Sequence, residues 1–193
     1  ETMMADIKDL NYLEGLATIP LGSGKSAVEE LTYAVEHLEM RGVAIGSNVD
    51  GKTLDNPEFE VFWQRANDLG LVVAIHPYNV AGHDRMTSYF LNNLVGNPLD
   101  TTLAAASLIF AGIPDRYPDI RIILVHGGGC LPYLIGRLRW GYERYPQIFE
   151  DGLKNSPVSY LSWFYYDTLL YNTDNIRHLL KMVGIKQILM GSD

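Results

Sequence analysis

The sequence has few of the residues that build disulfide frameworks or nucleic-acid surfaces. Cys130 is its single cysteine among 193 residues, which excludes an intrachain disulfide and a cysteine-rich zinc module. Basic residues are also scarce: 15 Lys and Arg stand against 23 Asp and Glu, so the formal net charge is −8. Excess negative charge opposes binding to nucleic-acid phosphates and anionic lipid surfaces. We therefore expect neither nucleic acid nor a membrane as a partner.

Long apolar runs are missing as well. No run approaches the roughly 18 residues of a membrane-spanning helix, and residues 1–6 lack the charged and apolar regions of a signal peptide. With 47% hydrophobic and 20% charged residues, the composition is typical of one soluble globular domain. We expect a single domain over residues 1–193 and a location in the cytoplasm.

The chain does contain six short β-branched or apolar runs, each followed by polar or glycine residues. The predicted strands are residues 15–20, 42–47, 71–77, 121–126, 164–169 and 187–191. Four of them are nearly continuous apolar stretches, which is typical of parallel strands buried on both faces. We predict a parallel sheet.

Helix signals lie between the predicted strands. The apolar period predicts a helix over residues 26–41 that Gly42 ends, and Asn56 before Pro57 indicates a capped helix start. Thr173 is the predicted cap of a helix that Gly184 closes, and residues 78–100 are the longest stretch without a regular pattern. Alternating strands and helices indicate βα units. The pattern fits both a doubly wound sheet and a (β/α)8 barrel.

Three chemically active side chains follow three of the predicted strands. His76 and His126 end their strands, and Asp193 lies two residues past the last one. Because parallel strands place their carboxyl ends at one edge, these residues should lie together. Imidazoles and a carboxylate bind divalent metals such as zinc and move protons. The alternative for each histidine alone is a structural role in the core.

A glycine run and an arginine-bearing helix follow His126. The glycines at 127–129 allow close backbone approach, but the HGGG pattern of esterases also needs a G-x-S-x-G sequence, which is absent here. Arg137 and Arg144 are seven residues apart and share a helix face, where they could bind a substrate carboxylate. Ordinary surface salt bridges are the alternative interpretation.

The combination of these motifs resembles a known family. The stretches GVAIGSNVDGKTLDNPEFEVFWQRANDLGLVVAIHP, DRYPDIRIILVHGGGCLPYLIGRLRWG and FYYDTLLYNTDNIRHLLKMVGIKQILMGSD are similar to the amidohydrolase-related metal enzymes, typified by 2-amino-3-carboxymuconate-6-semialdehyde decarboxylase. The resemblance covers nearly the whole chain. It implies a (β/α)8 TIM barrel, of which the sequence represents strands three to eight, with one divalent metal ion, usually zinc.

The resemblance also implies roles for individual residues. His76 and Asp193 would be metal ligands and His126 the general acid/base. Arg137 matches an arginine that, in family homodimers, holds a substrate carboxylate in the neighbouring subunit. Tyr78 and Asn79 stand where the decarboxylase has Trp-Asp, so Tyr78 is expected in the substrate site. The family's H-x-H ligand pair and first two strands have no counterpart here, which makes the barrel look incomplete at both ends.

Three functions are compatible with this pattern. The first is a metal-dependent decarboxylase, a carbon–carbon lyase acting on an unsaturated or aromatic carboxylic acid. The second is a metal-dependent hydrolase of a lactone or amide in the same superfamily, which would use the same residues. The third is a noncatalytic α/β binding module with structural histidines. We expect an enzyme of the first kind, with a small carboxylate substrate.

Overall fold

The computed structural model describes residues 15–149 and 153–192, and Asp193 lies outside the described residues. Its centre is a parallel sheet of five strands, which in their order across the sheet are β1 (Leu16–Thr18), β2 (Gly42–Gly46), β5 (Val72–His76), β6 (Arg121–Leu124) and β7 (Phe164–Tyr166). A hairpin of β3 (Asn48–Val49) and β4 (Lys52–Thr53) follows β2. The prediction of a parallel sheet is confirmed.

Helices connect these strands. In the described part of the chain they are α1 (Gly24–Glu36), α2 (Glu60–Asp68), α3 (Asn97–Phe110), α4 (Ile113–Arg116), α5 (Leu131–Arg144) and α6 (Thr173–Val183). One hydrophobic core joins them to the sheet. It contains Val73 and Ile122 from the strands together with Leu31, Trp63 and Leu108 from the helices, all fully buried. Burial of a side chain of this size stabilises the fold by about 1.5–3 kcal/mol relative to leaving it exposed, so strands covered on both faces are apolar throughout.

The helix boundaries differ from the sequence prediction at two places. Helix α1 ends at Glu36 rather than at Arg41, because Glu39 has a φ of 55°, which is incompatible with a continued helix. Gly42 therefore opens β2 and does not terminate the helix. The predicted cap at Asn56 is confirmed, since its side chain accepts a hydrogen bond from the Glu58 N–H at 3.0 Å.

The cap of α6 is Asn172, one residue before the predicted Thr173. The Asn172 side chain accepts hydrogen bonds from the N–H groups of Asp174 and Asn175 at 2.8 and 3.4 Å. Thr173 is the first helical residue, so its own backbone already has helical geometry. Gly184 follows the helix with a φ of 83°, as expected for a terminating glycine.

The predicted strand over residues 187–191 is wrong in extent. Only Ile188 forms a parallel bridge, with Tyr166, and the Leu189 N–H donates to the Tyr166 carbonyl at 2.8 Å. A 3-10 turn, Ile185–Gln187, occupies the start of the segment, and Met190 is 93% exposed. The segment lies beside β7 without forming a full ladder.

The stretch of residues 78–100 is more regular than its sequence indicates. It contains a 3-10 turn, His83–Arg85, and a π-helix, Asn92–Gly96, that runs directly into α3. Pro98 lies in the first turn of α3, where its missing N–H costs no helical hydrogen bond. Helix α3 therefore begins beside the loop that follows β5, which brings its first turn close to the carboxyl edge of the sheet.

Candidate active site

The two histidines that follow β5 and β6 lie side by side. His76 is the last residue of β5, and His126 comes two residues after the end of β6. Ile75 pairs with Leu124 across these neighbouring strands, so both chains reach the carboxyl edge at the same level. The imidazole centroids are 5.6 Å apart and the rings meet edge to face at 67°. His76 and His126, which are 50 residues apart in sequence, are therefore in direct ring contact.

The backbone fixes the orientation of the His76 ring. Its Nδ1 lies 3.0 Å from the carbonyl oxygen of Pro77. A carbonyl oxygen only accepts hydrogen bonds, so Nδ1 carries the proton and donates, and the lone pair of the neutral ring lies on Nε2. This is the tautomer that a histidine needs to bind a metal through Nε2.

The His126 backbone has a conformation that histidine rarely adopts. Its φ is 56°, in the left-handed region, and Gly127, Gly128 and Gly129 continue with positive φ. The loop is held from behind by Asp167, which is 8% exposed and accepts hydrogen bonds through Oδ1 from the Gly127 N–H at 2.7 Å and the Leu169 N–H at 3.1 Å. Strain of this kind concentrates at functional positions.

The glycines serve close packing within the protein. A Cβ on Gly128 would lie 2.7 Å from the Tyr166 ring, and a Cβ on Gly129 would lie 2.0 Å from the Pro98 carbonyl oxygen. The Tyr166 side chain fills the space under this loop, donates its hydroxyl proton to the Leu161 carbonyl at 2.9 Å, and has its pKa raised by burial. The loop can reach this position only without side chains.

Helix α3 supports the same loop from the other side. The Cys130 N–H donates to the Thr102 hydroxyl at 2.8 Å, and that hydroxyl donates to the Pro98 carbonyl at 2.7 Å. Cys130 occupies the N-terminal cap position of α5. The structure therefore links the His126 loop, α3 and α5 through one buried threonine.

A cavity of about 550 Å³ opens in front of His76. It lies over the carboxyl ends of β1, β2 and β5, and its walls include Ile19, Ile45, Asn48 and Tyr78 as well as His76. The Tyr78 side chain is 74% exposed, whereas its backbone is held by Ser47 and Asn48. A cavity of this size at this edge of a parallel sheet is a typical small-molecule site.

Arg137 lies on the exposed face of α5 and does not line the cavity in front of His76. It is exposed, and within residues 15–149 and 153–192 it makes no ion pair. Two large aromatic side chains share this exposed helix: Tyr133 is 83% and Trp140 56% exposed. Arg144, predicted on the same face, lies over the Tyr145 ring at 5.9 Å. The structure does not bring Arg137 into the cavity of its own chain.

The last described residues approach the site from β7. The Gly191 N–H donates to the Thr168 hydroxyl at 3.3 Å, and a Cβ on Gly191 would lie 2.7 Å from the Asp167 Cβ. Gly191 thus packs against the carboxylate that supports the His126 loop. Asp193, the second predicted ligand, is two residues farther along and outside the described residues. Among the described residues, no group of three or more His, Cys, Asp or Glu side chains is arranged to hold a metal ion.

Sequence reasoning missed the side chains behind the histidines, namely Ser47, Asn48, Asp100, Thr102 and Asp167. Asp167 carried the clearest available signal, because it directly follows β7 at the same edge as the two histidines. Ser47 likewise follows β2, whereas Asp100 and Thr102 lie inside a helix with no strand-end position to mark them.

Comparison with known proteins identifies the family. Residues 8–193 match the sequence model of the amidohydrolase family, Amidohydro_2. The chain belongs to this family. It is similar to two curated amidohydrolase-family relatives. One is 2-amino-3-carboxymuconate-6-semialdehyde decarboxylase of Dictyostelium discoideum, 35% identical over 179 residues that cover 93% of this chain and 50% of that protein. The other is decarboxylase macB of Penicillium terrestre, 32% identical over 182 residues that cover 87% and 52%.

The chain thus spans about half the length of the curated relatives it matches. All of it superposes on 60% of 5-carboxyvanillate decarboxylase from Sphingomonas paucimobilis, with a TM-score of 0.89 and 24% identity. It also superposes on 62% of a dihydroxybenzoic acid decarboxylase from Polaromonas sp. JS666, solved with bound manganese and the inhibitor 2-nitroresorcinol, with a TM-score of 0.87 and 23% identity. These matches confirm the predicted amidohydrolase fold, an α/β fold of the (β/α)8 barrel type.

None of the helices in residues 15–149 and 153–192 has the length and apolar character needed to cross a bilayer.

Proposed function

We propose that the protein is a metal-dependent decarboxylase, which removes CO2 from an aromatic or unsaturated carboxylic acid. The observation that carries this proposal is the edge-to-face contact of His76 and His126 at the carboxyl edge of the sheet. Active sites of (β/α)8 enzymes lie at this edge. The two curated relatives described above are named decarboxylases, which supports carbon–carbon bond cleavage over the other chemistries of the superfamily.

The chemistry of His76 fits a resident divalent ion. The hydrogen bond from Nδ1 to the Pro77 carbonyl leaves Nε2 with the lone pair that a metal requires. We propose His76 and Asp193 as ligands, and zinc as the metal because imidazole and carboxylate ligands suit it. When bound, such an ion supplies Lewis-acid polarisation of a substrate oxygen.

His126 is the proposed general acid/base. Loss of CO2 breaks one carbon–carbon bond, and a proton must take the place of the carboxyl group on the carbon that it leaves. An imidazole titrates near neutral pH and can deliver that proton and recover it from solvent. The strained backbone of His126, in a loop held by Asp167, places its ring beside that of His76.

Substrate recognition is proposed for Tyr78 and Arg137. Tyr78 exposes its ring at the wall of the cavity, where it can pack against an aromatic substrate. Arg137 lies on an exposed helix face flanked by Tyr133 and Trp140, so we propose that it binds a carboxylate in the cavity of a second subunit in a homodimer. We place this enzyme in the cytoplasm, where its single cysteine can stay reduced.

Product identity tests the proposal. The purified protein would be incubated with Zn²⁺ and a panel of aromatic carboxylic acids, with lactones and amides of similar size as the comparison set. We expect CO2 release from at least one acid and no opening of the lactones or amides. Formation of a new carboxylate from a lactone or amide, without release of CO2, would show that the protein is a hydrolase rather than a decarboxylase. No turnover together with no retained metal would favour a noncatalytic module.

A further inference from the structure

A buried carboxylate lies behind the candidate active site and is bonded to one of its wall residues, Asn48. Asp100, in the first turn of α3, is only 4% exposed. Its Oδ2 accepts hydrogen bonds from the Ser47 hydroxyl and from the Asn48 side-chain amide at 2.9 Å, and its Oδ1 accepts one from the Ala81 N–H at 3.0 Å. A buried carboxylate is costly unless its oxygens are satisfied in this way. Its three partners lie in the segments that follow β2 and β5, at the carboxyl edge of the sheet.

Through these partners, Asp100 reaches the backbone of Tyr78. Ser47 is only 2% exposed. Its hydroxyl donates a hydrogen bond to Asp100, so its oxygen is oriented to accept one from the Tyr78 N–H at 3.2 Å. The Asn48 amide, bound to the same carboxylate, also donates to the Tyr78 carbonyl at 2.7 Å. Both polar backbone groups of Tyr78 are thus held by side chains that Asp100 orients.

The Tyr78 N–H belongs to the peptide group whose carbonyl oxygen comes from Pro77. That same oxygen accepts the hydrogen bond from Nδ1 of His76 at 3.0 Å. A peptide group is planar, so a hydrogen bond at its N–H side sets the direction of its carbonyl. Ser47 binds one side of this plane and His76 the other. The next residue, Asn79, has a φ of 48°, so the loop needs such anchoring.

We propose that Asp100 is a positioning residue that orients the His76 imidazole through Ser47 and the Pro77–Tyr78 peptide group. The relevance to catalysis rests on the proposed function, in which His76 holds the metal. The orientation itself does not depend on that function. Asp100, in the first turn of α3, therefore favours the Nδ1–H tautomer of His76 and sets the orientation of its ring.

The test compares Asp100→Asn and Ser47→Ala with a matched control, Asp115→Asn. In Asp100→Asn, one carboxylate oxygen becomes an N–H₂ group, which cannot accept a hydrogen bond. At least one of the donors that now bind Asp100 therefore loses its acceptor. Asp115 is also a hydrogen-bonded carboxylate, accepting from the Tyr160 hydroxyl and the Lys154 N–H, but it lies on α4, before β6 begins. Two readouts would be taken on purified protein: the dissociation constant for Zn²⁺, and the nitrogen-15 NMR shifts of His76 that distinguish its tautomers.

We expect Asp100→Asn and Ser47→Ala each to weaken Zn²⁺ binding about 10- to 100-fold, which is the usual effect of losing a residue that orients a metal-binding histidine. The His76 shifts should move from the Nδ1–H tautomer towards a mixture. Asp115→Asn should change the thermal midpoint alone. Unchanged Zn²⁺ affinity and unchanged His76 shifts in both Asp100→Asn and Ser47→Ala would overturn the proposal.

A double variant tests the route. If Asp100 acts through Ser47, then Asp100→Asn combined with Ser47→Ala should bind Zn²⁺ no more weakly than Ser47→Ala alone. If the losses of Zn²⁺ affinity in the two single variants multiply in the double variant, Asp100 does not act through Ser47. Because neither readout involves turnover, the absence of CO2 release would refute the decarboxylase without touching the role of Asp100. Ser47→Ala also provides the answer if Asp100→Asn does not fold.

Discussion

At the scale of single residues, the candidate site depends on buried carboxylates that bind backbone N–H groups. Asp167 accepts two such bonds through one oxygen, from Gly127 and Leu169, and so holds the loop that places His126 at a φ of 56°. A residue in the left-handed region persists only where its surroundings fix it. Asp167 is therefore the residue on which the position of His126 depends most directly.

Replacing Asp167 should expose this dependence. Asp167→Ala leaves the buried Gly127 N–H without an acceptor, and we expect it to lower the free energy of unfolding by about 1–3 kcal/mol. Asp167→Asn keeps an oxygen that can accept both bonds, so its loss should be clearly smaller. Urea unfolding of the three proteins measures the difference. Equal losses in the two variants would show that the hydrogen bonds from Gly127 and Leu169 are not what Asp167 contributes.

The two histidines were predictable from the sequence, whereas these carboxylates were not. His76 and His126 follow apolar strands, and parallel strands end at one edge, so their meeting follows from topology. Asp100 and Asp167 act through backbone groups whose positions depend on loop conformation. Loop conformation here includes positive φ at non-glycine residues, which no spacing pattern reveals. The metal-ligand role of Asp193 stays a prediction, as do the assigned roles of His76, His126, Tyr78 and Arg137.

At the scale of elements, local signals located α1, α2 and α6 well and their ends less well, whereas α3 was not predicted. The β-branched and apolar runs marked β2, β5 and β6, because buried strands leave a composition signal. The segment at residues 187–191 has the same signal but forms one bridge at Ile188, since a ladder depends on partners that the run itself does not encode. The π-helix Asn92–Gly96 has no sequence signature at all.

The cap of α6 gives a direct test at this scale. The Asn172 side chain binds two N–H groups of the first turn, so Asn172→Ala should destabilise the protein by about 1 kcal/mol. Thr173→Ala is the matched control, because Thr173 has helical geometry and makes no cap. We expect the control to stay within about 0.5 kcal/mol of the unmodified protein, as is usual for surface positions. Denaturant unfolding decides between them, and a larger loss at Thr173 would restore it as the cap.

At the scale of the whole molecule, the parallel sheet brings residues that are distant in sequence together at its carboxyl edge. β5 and β6 lead to the two histidines, β2 leads to Ser47 and Asn48, and β7 leads to Asp167. Helix α3 crosses behind them, with Asp100 supporting the His76 side and Thr102 the His126 side. The chain spans about half the length of its curated relatives, and this half already contains the supports of both histidines.

We propose that His126 transfers the proton in the decarboxylation, beside His76, the proposed metal ligand. The most direct measurement is the rate of CO2 release from an aromatic carboxylic acid by the unmodified protein and by His126→Ala, with the bound metal of both quantified. The account predicts that His126→Ala retains its metal and loses activity by about 100-fold or more. Equal rates of CO2 release at equal metal content would contradict it.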